Sequence, residues 1–139
     1  RLAGRIQRWP AFPTTEQGIP MSYFRTRLNV TLVSENENKW KLIHRLVFVS
    51  DEIGEIIVPA GFVTDFASVP RIPLVFMATG DTARQAAVVH DYLYSIKRPR
   101  KVADGVFLDA MKVSGVAWIK AHLMYRAVRL FGWRYYQSA

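Results

Sequence analysis

Apolar and polar positions change rhythm once along this chain, near residue 60. From Phe24 to Val58 the rhythm is that of strands. "RLNVTLV" alternates and places Leu28, Val30 and Leu32 on one face. "SENEN" is a polar turn signal, and "KWKLIHRLVFVS" resumes with Trp40, Leu42 and β-branched residues. "DEIG" is a second turn, and "EIIVP" is a short strand stopped by Pro59. An antiparallel meander of about three strands is expected.

The second half reads as helices. "DTARQAAVVHDYLYSI" begins at Asp81, a good N-cap, and ends before "KRPR". "KVADGVFLDAMKVSG" is a second helix, closed by Gly115. "VAWIKAHLMYRAVRLFGWRYYQ" is a third, with Arg126 and Arg129 near its C-terminal end, where cations are favoured. Between the halves lies "AGFVTDFASVPRIPLVFMATG", punctuated by Gly61, Pro70, Pro73 and Gly80. It is too irregular for a long helix and too apolar for a solvated loop, so it should fold over the core or line a pocket. Residues 1–20 contain Pro10, Pro13 and Pro20 and no period. They read as an N-terminal arm that packs poorly on its own domain, ahead of a single α+β domain over 21–139. The expected fold class is α+β: a small antiparallel meander, then about three helices, with an antiparallel helix pair at the chemical centre.

Composition narrows the class. With 139 residues, 50% hydrophobic and 22% charged, the chain suits one domain with one core. There is no cysteine, which excludes disulfides and thiolate metal sites and suits a reducing compartment or a virion. No run of about 18 apolar residues occurs, so no membrane span is expected. No secretory signal pattern opens the sequence. The net charge of +8 favours an anionic partner such as a phospholipid surface, nucleic acid or acidic cell-wall polymer, and equally serves solubility.

Candidate chemistry sits in "AAVVHDYLY". On a helix, His90 shares its face with Ala83, Ala86, Ala87 and Tyr94. On the next helix, Asp104 shares a face with Phe107, Leu108 and Met111, which makes it a core-facing carboxylate in need of a partner. A short basic connection makes the two helices antiparallel neighbours, so His90 and Asp104 can meet, and Tyr94 can donate to the same carboxylate. Asp104 would then fix the imidazole tautomer and leave the other nitrogen to take a proton from water. Asp91 points about 100° away from His90. Its expected duty is metal binding, helped by carbonyls of a nearby loop.

"HDYLY" and "ADGVFLDAM", within residues 82–113, resemble the paired helices of the phospholipase A(2) superfamily. That resemblance implies His90 as base, Asp91 as a calcium ligand, and Tyr94 with Asp104 as the orienting network. A second resemblance covers residues 40–132. "VPAGFVTDFASVPR", "AAVVHDYLY", "ADGVFLDAM" and "MYRAVRLFG" look like an uncharacterised family of phage and prophage proteins, domain of unknown function family 1353. It implies phage origin near tail genes and supplies no mechanism.

Other positions stay open. Asp65, in "TDFASVP", either completes a metal or substrate site beside His90 or makes an Asx-turn. No nucleophile-elbow glycines flank Ser68, so a Ser–His–Asp triad is not read here. His44 and His122 read as structural or surface residues, and Asp109 as lying on the outer side of its helix. "KRPRK", residues 97–101, reads as a solvated basic loop, or as a contact for lipid or nucleic-acid phosphates. Phe131, Trp133, Tyr135 and Tyr136 suit an interfacial or docking surface, or core.

The sequence reading is thus a phage-encoded, hydrolase-like protein. His90 takes a proton from water that attacks an ester, and a calcium ion on Asp91, with Asp65, steadies the oxyanion. One alternative is a structural or docking protein of a phage tail with a non-catalytic His–Asp network. Another is a peptidoglycan hydrolase using zinc. The expected partners are an anionic phospholipid or other cell-envelope surface and phage tail proteins, in the virion or host cytoplasm; nucleic acid is not expected.

Overall fold

A computed structural model describes residues 21–37, 39–65 and 82–138. The expectations for the arm 1–20, the Asp81 cap and residues 66–81, including Ser68, lie outside the described residues. The architecture is α+β, with two three-stranded antiparallel sheets followed by helices.

The first sheet has the order β1-β4-β5, formed by Tyr23–Phe24, Leu46–Ser50 and Gly54–Val58. Its central strand, "LVFVS", is buried at every position. A strand covered on both faces needs an unbroken apolar run rather than an alternating one. Leu46 and Phe48 pair with Val58 and Ile56 and face the helices. The β4–β5 turn is closed by the Ser50 hydroxyl, which accepts from the amides of Glu52 and Ile53 at 3.2 and 3.3 Å. Gly54 follows at φ 83°, a conformation that side chains resist.

The second sheet has the order β2-β3-β6, formed by Val30–Ser34, Lys39–Leu42 and Val63–Thr64. Here the structure corrects the single meander. "KWKLIHRLVFVS" is not one strand: it breaks at Ile43–Arg45, and its two halves serve different sheets. The Ile43 amide donates to Asn29 O at 2.9 Å while exposed His44 and Arg45 turn the chain. The short β6 strand pairs Thr64 with Trp40 at the edge of this sheet.

Two helices pack on the first sheet, α1 (Thr82–Ser95) and α2 (Arg100–Val113), and α3 (Trp118–Phe131) packs on α2. The end of α1 is tied by the Lys97 and Arg98 amides to Tyr94 O and Leu93 O, both at 3.0 Å, with Lys97 at φ 57° where glycine is usual. Gly115 (φ 86°) closes α2 as expected. Gln85, near the start of α1, donates to Ser114 after α2 at 2.8 Å, so the two helices run antiparallel. The small residues Ala83, Ala86, Ala87, Ala103 and Ala110 are buried in the core and let these helices approach closely. The third expected helix is divided: Gly132 separates α3 from α4 (Trp133–Ser138).

Candidate active site

Asp104 is the centre of the site, and three helices supply its partners. Its Oδ1 accepts from His90 Nε2 at 2.7 Å and from the Tyr94 hydroxyl at 2.6 Å, both on α1. Its Oδ2 accepts from Arg129 of α3 at 2.7 Å, and Arg100, one turn earlier on α2, lies at 3.8 Å. His90 and Asp104 are both 0% exposed. The imidazole is wedged between rings, with Tyr94 and Phe107 at centroid distances of 4.1 and 4.8 Å. His90, Tyr94 and Asp104 therefore meet as the helix spacing implied.

Burial dominates the electrostatics of the imidazole. It pushes the His90 pKa below its ordinary 6.5, against the hydrogen bond and charge of Asp104, which favour the imidazolium. At neutral pH the ring is therefore neutral, with Nε2–H donating to the carboxylate. Burial alone would raise the Asp104 carboxyl, but the hydrogen bonds from His90, Tyr94 and Arg129 outweigh it and hold the group below the usual carboxylate range. The Tyr94 phenol is pushed upward, first by burial, and stays protonated as a donor.

These directions give a pH dependence. The unfolded chain binds the His90 proton more readily than the folded one, so stability rises with pH below the ordinary 6.5. Asp104 adds a loss of the same sign at lower pH, as its carboxylate is protonated. Asp109, raised by burial, contributes the opposite sign. The His90 contribution is thus read as a difference: between about pH 7 and pH 5 the wild type should lose more thermal stability than His90→Gln. Equal losses in melting temperature would remove His90 as the source.

Sequence reasoning missed Arg129, Arg100 and Gly132. In the sequence Arg129 shows only as a cation near a helix end. Its partner lies 25 residues back, and the one signal for it was that a buried carboxylate requires a cation. Arg100 also donates to Val128 O and Arg129 O, both at 2.9 Å, and so caps the C-terminal end of α3. Gly132 is buried where no side chain fits: a Cβ there would lie 2.7 Å from the Tyr94 hydroxyl and closer still to Val128 O. Gly132→Ala should therefore displace Tyr94 from Asp104 and cost about 1–3 kcal/mol, measurable as a lower melting temperature. An unchanged melt would mean that the α3–α4 junction yields freely.

The proposed metal ligands sit on another face. Asp91 accepts through Oδ2 from the Thr64 hydroxyl of β6. That contact brings the strand end, and exposed Asp65 beyond it, to α1. Among the described residues, however, no group of three or more His, Asp or Glu is placed to hold a metal. The described residues do not by themselves fit a calcium or zinc site, and no chemical step is derived through one.

The remaining candidates fall elsewhere. His44 is exposed beside an open groove lined also by Asn29, Arg45 and Pro59, which shares no residue with the Asp104 network. His122 is half-buried, with its ring 4.4 Å from that of Trp118. Asp109 is not on the outer side of its helix: it is half-buried, with Oδ2 enclosed.

Residues 40–128 match the family model described as protein of unknown function (DUF1353). The chain belongs to that family. The DUF1353 match takes in β3 to β6, α1, α2 and α3 as far as Val128, so it contains His90, Tyr94, Arg100 and Asp104 and stops one residue short of Arg129. Searches of curated proteins and of solved structures return no match.

Proposed function

We propose that this DUF1353 protein is a phage-encoded, hydrolase-like protein that cleaves carboxylic esters of phospholipid at an anionic cell-envelope surface. One observation carries the reading: a single carboxylate oxygen, Asp104 Oδ1, receives both His90 Nε2 and the Tyr94 hydroxyl. That is the residue set the phospholipase resemblance implied. In this reading His90 takes a proton from a water molecule as that water attacks the ester carbonyl carbon. Asp104, fixed by Tyr94 and Arg129, steadies the imidazolium that forms, and His90 returns the proton to the leaving alkoxide. A neutral imidazole with a fixed tautomer is the form a general base requires. Calcium or zinc near Asp91 and Asp65 enters as an addition to the assay, not as a step.

The experiment is fatty-acid release from anionic phospholipid vesicles, with calcium, zinc or a chelator present. Release by the wild type that is lost in a folded His90→Gln protein supports the reading.

A second reading is favoured by a specific observation. His90 and Asp104 are completely enclosed, and Arg129 occupies the second carboxylate oxygen. On that reading the network is a clamp holding α1, α2 and α3 in a structural or docking component of a phage tail. No release from any lipid, with the fold dependent on both residues, would select it.

A further inference from the structure

Helix α3 is apolar on two opposite sides. Ala121, Met124 and Val128 are buried toward α2. Half a turn away, Ile119, Leu123 and Leu130 form a stripe and are 68, 48 and 67% exposed. Arg126 lies within the stripe, and exposed Trp118 and Trp133 flank it. A helix on a protein surface ordinarily presents polar residues outward. Large apolar side chains at three of the four positions of an outward stripe mark a surface that another body covers.

Charge selects that body. After Asp109 the sequence contains no Asp or Glu, but it contains Lys112, Lys120, Arg126 and Arg134, besides Arg129, which pairs with Asp104. The basic connection after α1 joins the same end of the molecule, because the Lys97 ammonium donates to Tyr136 O of α4 and lies 4.8 Å from its ring centroid. Arg98 and Lys101 are exposed beside it. A second copy of this chain would bring cations against cations. An anionic bilayer instead offers phosphates to the cations and acyl chains to the stripe. No described helix is long and apolar enough to cross a membrane, so the geometry is that of a helix lying in the interface. Tryptophans at both ends and a long arginine between them suit that depth.

We propose that the outward face of α3, continued by α4, seats the protein on an anionic phospholipid surface, with Ile119, Leu123 and Leu130 toward the acyl chains. The purpose of such seating rests on the lipid-directed reading above. Its test does not, because it uses lipids without carboxylic ester bonds.

The full chain is floated with vesicles of ether-linked phosphatidylglycerol and phosphatidylcholine, and with phosphatidylcholine alone. Binding is expected to the mixed vesicles only and to weaken with salt. It should fall by about tenfold or more when Ile119, Leu123 and Leu130 are all replaced by serine. Arg126→Glu should weaken it as well. Because these side chains are exposed, both variants should melt like the wild type. Equal binding by the wild type and the triple variant overturns the proposal, as does equal binding to both vesicle types. So does absence of binding, and a dimer in sedimentation that the triple variant loses would then assign the face to a second copy. Binding to ether lipid without release from ester lipid would leave the docking standing and remove the catalytic reading.

Discussion

Asp104→Ala is expected to destabilise the fold by about 3–5 kcal/mol, the cost of breaking a buried charge pair by removing one partner. The carboxylate accepts from His90, Tyr94 and Arg129, on two neighbouring helices. Alanine leaves the imidazole and the phenol enclosed without their shared acceptor, at about 1–3 kcal/mol for each unsatisfied group. Arg129, about a third exposed, can turn toward water and loses less. Against a total stability of about 5–15 kcal/mol, this is a large fraction. The melting temperature should fall by roughly 10–20 °C. A fall of only a degree or two would mean that the three helices are held by their apolar faces alone.

The second large effect is chemical. His90→Gln is expected to abolish hydrolysis, a loss of at least about 100-fold, while lowering stability less than Asp104→Ala does. Glutamine is close in volume to the imidazole it replaces, and its amide can still donate to Asp104 Oδ1. Asp104 keeps Tyr94 and Arg129 as donors, so the charge stays paired. The side chain offers no basic nitrogen, so no group takes the proton from water. The two substitutions therefore separate roles: the carboxylate supports both fold and chemistry, and the imidazole chiefly chemistry.

How far the sequence carried this picture depended on sequence distance. His90 and Tyr94 are one helical turn apart, and Asp104 lies across a short connection, so helix periodicity alone placed them together. Gly115 announced its helix end through its freedom at positive φ. Arg129 and Thr64 were hidden because each reaches its partner across the fold, from 25 and 27 residues away. The break at Ile43–Arg45 carries no proline or glycine to mark it, so the sequence could not show that the strands on its two sides join different sheets. The break at Gly132 was hidden too, because helical patterning continues on both sides and only the close approach of Val128 O and the Tyr94 hydroxyl requires the glycine. The outward stripe of α3 was masked for a related reason: a helix apolar on both sides has no periodicity that distinguishes core from surface.

Membership in the DUF1353 family and the α+β fold stand apart from the functional proposal, which depends on His90 doing chemistry. The most direct test is fatty-acid release from phosphatidylglycerol vesicles by the wild type and by His90→Gln, each first shown to be folded by its thermal melt. The account expects release by the wild type and none above background by the variant. Equal release from the two proteins, or none from the wild type under any metal condition, would contradict it.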